Sequence, residues 1–269
     1  MSEARFLPAG DQAVSVELGD EISLELNIRA RALEYLILQK GVPGVLETVP
    51  TYRSVLVYYD PATIAYRELV DAIAPLVTQA QAAALPPSRL VELPACYDPD
   101  LGFDLETAAA RLSLSPGELA RLHAAPEYLV YFIGFTPGLP YLAGMPERIT
   151  IPRLEQPRLK TPPGSISIGG SQCVIYSVES PGGFWVLART PVPLYDPKAS
   201  EPILLRPGDR VRFRVIDRHE YDEIAAAVTA GAFTPRIEGD LGGAAGRTGA
   251  GAPASEATIV GPGMPGRAP

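Results

Sequence analysis

The chain has 269 residues, of which 46% are apolar and 20% charged, and its formal net charge is −8. This composition is typical of a globular protein, and the acidic charge argues against nucleic acid or a membrane surface as the main partner. With two cysteines and two histidines, the chain shows neither a disulfide framework nor the spacing of a zinc site. No signal peptide or membrane-length apolar run is visible, so we expect a cytoplasmic protein with reduced thiols.

The first ninety residues predict a small α/β domain. Apolar alternation at residues 13–18 indicates a strand, and residues 23–40 carry apolar side chains at helical spacing before a glycine stop at Gly41. Two strands flank residues 51–53, a helix follows over residues 65–82, and the run LVELPACY opens another strand. Strand, helix, two strands, helix and strand is the order of a ferredoxin-like domain, which we predict for residues 1–90.

Residues 91–233 predict a second, strand-rich domain, so the fold class is α+β. Asp104 is expected to cap one short helix and Ser115, before Pro116, to cap another. Thirteen prolines between Gly134 and Pro207 exclude long helices there. Six strands follow one another: YLVYFIGF, SISIGG, QCVIYSV, GFWVLA, PILL and DRVRFRVI. They predict a closed or nearly closed β-barrel, followed by a helix over residues 219–228.

The last segment, residues 234–269, is rich in glycine, alanine and proline and has few bulky side chains. Such a composition cannot bury enough apolar surface to fold, which predicts a disordered tail. The literal GxGxxG match at residues 261–266 falls inside this tail and follows no strand, so it does not indicate a dinucleotide site.

Positive charge is concentrated in the barrel segment. Between Arg148 and Arg214 the chain has ten Lys or Arg residues against five Asp or Glu. In an acidic protein this points to a small anion, a carboxylate or phosphate that arginine grips with two hydrogen bonds; the alternative is a solvated barrel surface. Arg153, Arg158 and Lys160 are the first candidates, because a proline-rich loop holds their side chains in place.

Classical catalytic patterns are few. His123 has the residue type of a general base, but near a helix C-terminus it could equally complement the helix dipole. Ser165 lacks histidine and aspartate partners at the spacing of a hydrolase triad, and there is no Walker A sequence. A nucleotide would therefore have to bind without either standard loop.

Five motifs occur in a fixed order along the chain: GFTPGLPYL, IPRLEQPR, PPGSISIGGSQCVIY, SPGGFW and ART. Together with the earlier VPTYRSVLVYYDP they resemble the family of 5-oxoprolinase B subunits, which includes allophanate hydrolase subunit 1 and the Kip-type kinase inhibitor. The resemblance covers about residues 4–220. It implies a cyclophilin-like barrel for the second domain and a share in the ATP-dependent opening of 5-oxoproline to L-glutamate, as a hydrolase of several different subunits.

The resemblance also implies partners and site residues. ATP, with Mg, would be shared with the A and C subunits of 5-oxoprolinase, and the protein itself is expected to have no metal site. The catalytic candidates are His123, Arg158 and Arg189. The candidates for binding substrate or anion are Arg153, Lys160, Gly138, Ser165, Gly169, Gly170, Gln172 and Tyr176. Two alternatives remain open: a module that inhibits a sensor histidine kinase, and a subunit acting on allophanate or another urea derivative.

Overall fold

The computed structural model describes residues 4–239. Its N-terminal part is a four-stranded antiparallel sheet of order β1-β2-β4-β3 with two helices. The elements are β1 (Arg5–Pro8), β2 (Ala13–Glu17), α1 (Leu24–Lys40), β3 (Val45–Pro50), β4 (Ser54–Tyr59) and α2 (Tyr66–Gln79). Their apolar faces form one core, in which Val16, Leu33, Val57 and Ile73 are completely buried. Burial of this kind is the main stabilising contribution to such a small sheet.

The remaining residues form a closed barrel with helices on its outside. Its elements are β5 (Leu90–Cys96), α3 (Leu105–Arg111), α4 (Pro116–Ala124), β6 (Glu127–Ile133), β7 (Pro140–Ala143), a 3₁₀ turn (Glu147–Ile149), β8 (Arg158–Thr161), β9 (Ser165–Gly169), β10 (Gln172–Ile175), β11 (Ser180–Gly182), β12 (Trp185–Arg189), β13 (Arg210–Ile216), α5 (Arg218–Thr229) and β14 (Arg236–Glu238). The sheet order is β12-β9-β10-β7-β6-β13-β5-β14, and pairing of β12 with β5 closes seven of these strands. Strands β8 and β11 form a separate ribbon.

The interior of the barrel is filled by side chains. Leu93, Tyr128, Ile168, Leu187 and Phe213 point into one continuous core and are at most 3% exposed. In this small barrel the inward residues of every strand meet in the middle, so the interior is packed and leaves no channel. A site for a small molecule is therefore expected at the barrel's rim or outer face.

Helix termini follow the sequence signals in two of three cases. The Ser23 hydroxyl accepts a hydrogen bond from Leu26 N at 3.2 Å, and Gly41 ends α1 with φ of 59°. Ser115 caps α4 in the same way through Glu118 N. The expectation that Asp104 caps α3 is wrong: it precedes the helix without a side-chain cap, because its carboxylate is used elsewhere in the fold.

The assignment of the run LVELPACY to the N-terminal sheet is wrong. This run, β5, pairs in parallel with β13 from Leu90↔Arg210 to Cys96↔Ile216. The edge beside β2 is occupied instead by β1, which had no strand prediction. Apolar alternation identifies a strand but carries no information about which neighbour accepts its backbone hydrogen bonds.

Three further differences concern the barrel segment. The predicted strand at residues 202–205 is reduced to one isolated bridge between Tyr195 and Ile203. Strand β7 was not predicted, since it begins at a proline and has only four residues. A disordered tail was predicted from residue 234, but residues 236–238 form strand β14, which pairs with β5. The rest of the predicted tail, residues 240–269, lies outside the described residues.

No helix within residues 4–239 is long and apolar enough to cross a bilayer.

Candidate functional site

The structure brings Arg153 together with the turn that joins β9 to β10. Arg153 Nη2 donates to Gln172 Oε1 at 3.1 Å, and its guanidinium lies 4.6 Å from the centroid of the Phe184 ring. A Cβ at Gly169 would come within 2.9 Å of Phe184 and 3.1 Å of the Arg153 stem. Glycine at this position therefore lets the charged side chain and the aromatic ring pack directly against the strand end.

The turn itself explains why residues so far apart in sequence meet here. Gly170 has φ of 62°, a left-handed conformation that glycine adopts without strain. Its N–H donates to Ile151 O at 2.6 Å, and Ile151 N donates back to Gly170 O at 3.3 Å. This bridge fixes the chain two residues before Arg153 against the β9–β10 turn, which places Arg153 beside Gln172.

Tyr52, on the turn between β3 and β4, completes the arrangement from the N-terminal sheet. Gln172 Nε2 donates to the Tyr52 hydroxyl, so Gln172 is held from both sides, by Arg153 and by Tyr52. The Tyr52 ring meets Phe132 edge-on at a centroid distance of 4.6 Å and lies 6.1 Å from Tyr141. We call Tyr52, Tyr141, Arg153, Gln172 and Phe184 the tyrosine–arginine site.

Tyr52 was not among the predicted site residues. The run VPTYRSVLVYYDP, which contains it, carried part of the family resemblance, and that was the available signal. Nothing in local spacing connects residue 52 with residue 172, because the contact joins two separate parts of the fold.

Burial keeps the phenols of the site protonated. Loss of solvent raises the pKa of Tyr52 well above its usual value, and the nearby Tyr141 raises it further. Burial likewise raises the pKa of Tyr141, against the opposing effect of the Arg153 charge. At neutral pH the site therefore presents neutral O–H donors, one carboxamide and one permanent cation, a set suited to binding a small carboxylate or amide.

Tyr176 packs against Phe184 at the border of the tyrosine–arginine site. It is 3% exposed and packs with Leu139, Val174 and Phe184. Its hydroxyl lies against Gly182, where a Cβ would overlap with the phenol oxygen, so Gly182 is required for this packing. Burial raises the pKa of Tyr176, while the charge of Arg153 acts in the opposite direction.

Arg158 contacts the backbone of Phe184. It forms an ion pair with Asp104 and donates to Phe184 O at 3.2 Å. The same Asp104 carboxylate accepts from Val186 N at 2.8 Å, which is why it does not cap α3. Arg158 thus supports the segment that carries Phe184 into β12, and its own charge is compensated by Asp104.

The other predicted cations do not join this group. Lys160 is exposed and pairs with Glu179 at 3.0 Å, while Arg189 Nε donates to Pro163 O at 2.9 Å. Of the predicted cations, only Arg153 belongs to the tyrosine–arginine site. Arg158 lies close by, with its guanidinium on the carbonyl of Phe184.

His123 lies in the interior of the barrel and is completely buried. Its Nδ1 is 2.6 Å from the Tyr97 hydroxyl, its Nε2 is 3.4 Å from Cys173 Sγ, and its ring stacks on Phe213 at 5.2 Å. Burial lowers the pKa of His123 to about 3, so the ring is neutral at physiological pH. A neutral ring does not complement the helix dipole as a cation, and at 0% exposure it does not reach solvent.

Two other candidates, Gly138 and Ser165, lie elsewhere on the barrel. Gly138 has φ of 77° and packs under Tyr195, where a Cβ would come within 3.0 Å. Ser165 is fully buried on β9, and its hydroxyl has no hydrogen-bond partner among the described residues. Neither residue contacts Arg153 through a hydrogen bond in residues 4–239.

The glycines at residues 164–170 do not form a phosphate-binding loop. The intervening residues, Ser165–Gly169, are the fully buried strand β9, and a Cβ at Gly164 would overlap with Thr190 O. A phosphate cradle needs backbone N–H groups that open toward solvent, usually before a helix. ATP therefore does not fit this segment. Within the described part of the chain, no group of three His, Cys, Asp or Glu side chains is arranged to hold a metal ion.

Known proteins resemble this chain over most of its length. Residues 4–205 match the family described as carboxyltransferase domain, subdomain C and D. A Bacillus subtilis protein named as the B subunit of 5-oxoprolinase is 34% identical, with 79% of this chain and 92% of the relative covered. The Escherichia coli O157:H7 protein of that name is 38% identical, covering 79% of this chain and 96% of the relative.

One crystal structure, that of TTHA0988, is similar with a TM-score of 0.69 and 38% identity. The match covers 76% of this chain and 40% of the TTHA0988 chain, so the present chain spans less than half of that polypeptide.

Proposed function

Because the chain belongs to the family of carboxyltransferase domain subdomains C and D, and within it to the 5-oxoprolinase B subunits, we propose that it is a subunit of an ATP-dependent enzyme that opens 5-oxoproline to L-glutamate. The family membership carries this proposal, and the tyrosine–arginine site supports it. In the cell the chain would act in the cytoplasm together with the A and C subunits. Its two cysteines are buried and unpaired, as in a reducing compartment.

The tyrosine–arginine site suits the two functional groups of 5-oxoproline. The guanidinium of Arg153 binds the carboxylate, and the Tyr52 hydroxyl, which accepts from Gln172, keeps its own proton to donate to the lactam carbonyl. Hydrogen bonds to that oxygen polarise the amide and orient it for attack by water. These residues bind and position the substrate; none of them is a base or a nucleophile at neutral pH.

The nucleotide belongs to a partner subunit in this proposal, because ATP does not fit the glycine-rich segment of this chain. The chain therefore contributes substrate binding to a site that other subunits complete. Alone, it is expected to hydrolyse no ATP.

Reconstitution with the A and C subunits tests the function directly. We expect ATP hydrolysis that depends on 5-oxoproline and exceeds the rate of those two subunits alone. Absence of this increment would contradict the proposed function. In the same assay, turnover of allophanate in place of 5-oxoproline would assign the chain to urea-derivative hydrolysis, and suppression of a sensor kinase's autophosphorylation would assign it to kinase inhibition.

The substitution Arg153→Met tests the site within that complex. Loss of a charged hydrogen-bond donor to the substrate is expected to lower kcat/KM by roughly 10- to 100-fold. The matched control is Lys160→Met, which removes an exposed cation paired with Glu179 and is expected to leave kcat/KM unchanged. Full activity of the Arg153 variant would remove this residue from the site while leaving the subunit assignment intact.

A further inference from the structure

A cavity at the start of α1 contains a buried cation. Its volume is about 430 Å³, and its lining includes Leu18, Asp20, Glu21, Glu25, Leu26 and Arg29. Arg29 is 8% exposed, although arginine is seldom buried without a partner. The two leucines are buried and provide an apolar floor beside the guanidinium.

The Arg29 side chain lacks a counter-ion within residues 4–239. Its Nε is buried without a hydrogen-bond partner, and no carboxylate of the described residues forms an ion pair with it. A buried donor without a partner costs free energy, and an anionic ligand in the cavity would give the Arg29 Nε the hydrogen bond that it lacks.

The carboxylates of the cavity divide into two kinds. Asp20 is already neutralised by Arg5 at 3.0 Å and Arg53 at 3.5 Å. Glu21 and Glu25 are exposed at the rim, and neither forms an ion pair with the described residues. The cavity therefore combines one buried positive charge with two free negative charges at its mouth.

The start of the helix does not itself provide an anion site. The Ser23 hydroxyl accepts from Leu26 N, and Ser23 O accepts from Asn27 N, so these groups are already used. A simple anion would be drawn to Arg29 but repelled by Glu21 and Glu25. A simple cation would be drawn to Glu21 and Glu25 but repelled by Arg29. A molecule that carries both charges on neighbouring atoms satisfies both groups.

We propose that this cavity binds a free α-amino acid, with its carboxylate on Arg29 and its ammonium on Glu25 and Glu21. The carboxylate replaces the missing counter-ion of Arg29 with bidentate hydrogen bonds. The side chain of the ligand lies over Leu18 and Leu26. This site is separate from the tyrosine–arginine site and stands whether or not the proposed enzymatic function is correct.

Titration of the full chain with L-alanine, followed by the NMR shifts of amides 18–29, tests the proposal. Propionate and ethylammonium are the matched probes, since each keeps one charge of the amino acid. We expect saturable L-alanine binding that is at least about tenfold tighter than that of either probe. Equal affinity for propionate, or no saturable shift with L-alanine, would overturn the proposal. This comparison uses the unaltered protein and needs no variant to fold.

Variants then locate the ligand. Arg29→Met should weaken L-alanine binding at least about tenfold. The double change E21Q/E25Q should weaken L-alanine but not propionate. The control Arg121→Met removes an exposed arginine on α4, and Arg153→Met removes the cation of the tyrosine–arginine site; both should retain binding. Unchanged binding in folded Arg29→Met, or its loss in Arg153→Met, would refute the assignment.

Discussion

His123 shows at the scale of one residue how burial decides what an ionisable group can do. The residue type fits a general base, and its position in the chain fits a partner of the helix dipole. In the fold the His123 ring is shielded from solvent. The Tyr97 hydroxyl lies at one ring nitrogen and the Cys173 thiol at the other. A group that cannot reach water or substrate cannot exchange a catalytic proton, so its contribution is to stability.

This burial predicts a pH effect on stability. Below about pH 6.5 the unfolded chain protonates His123, whereas the folded protein, with a pKa of about 3, does not. The unfolded state then binds more protons, so the free energy of unfolding falls as pH decreases from 6.5 toward 3, by up to about 1.4 kcal/mol per pH unit. Urea unfolding at several pH values should show a smaller acid loss for His123→Gln. A wild-type slope in His123→Gln would contradict this account.

At the scale of the element, the pairing of β5 with β13 holds the barrel together beside the β12–β5 pairing that closes it. The two strands come from opposite ends of the barrel sequence and run parallel over seven residue pairs. An Arg89–Asp209 ion pair lies just before both strands, with Arg89 Nε donating to Asp209 Oδ1 at 2.9 Å. Asp209 also accepts from Arg206 N at 2.7 Å, which shapes the turn into β13.

The buried Arg89–Asp209 pair predicts a large stability effect. Asp209→Asn removes the carboxylate that Arg89 binds through both Nε and Nη2 and should lower the free energy of unfolding by about 3–5 kcal/mol. Glu201→Gln is the matched control, because it breaks the exposed pair with Arg206 and should cost less than about 1 kcal/mol. Urea denaturation of both variants measures the difference, and similar small losses would show that the pair does not stabilise the barrel.

At the scale of the whole molecule, the two cores share no residue but their surfaces are joined. Asn27 of α1 is completely buried and donates to Thr51 O at 3.0 Å and to Tyr131 O on β6 at 3.2 Å. Tyr52, next in the chain to Thr51, then meets Gln172 of the barrel. We propose a domain boundary near residue 90, with the tyrosine–arginine site formed where the domains touch.

This junction predicts that Asn27 positions Tyr52. Asn27→Leu removes the donor to both carbonyls and should destabilise the protein by about 1–3 kcal/mol. It should also speed amide hydrogen exchange at residues 51–54 and lower kcat/KM in the reconstituted complex. Gln79→Leu, an exposed amide at the end of α2, is the control. Unchanged exchange at residues 51–54 would show that Tyr52 is held without Asn27.

Local chemistry in the sequence determined the elements and the family. Ser23 and Gly41 bound α1, apolar runs indicate β5 and β6, and alternating apolar residues indicate β13. The prolines exclude long helices from the barrel segment, since each acts within a few residues of itself. The tertiary structure alone decided which sheet β5 joins and which cations remain available. Those outcomes depend on partners far away in the chain, such as Arg158 with Asp104 across 54 positions and Gln172 with Tyr52 across 120. No periodicity or spacing encodes such contacts, because they exist only once the backbone has folded.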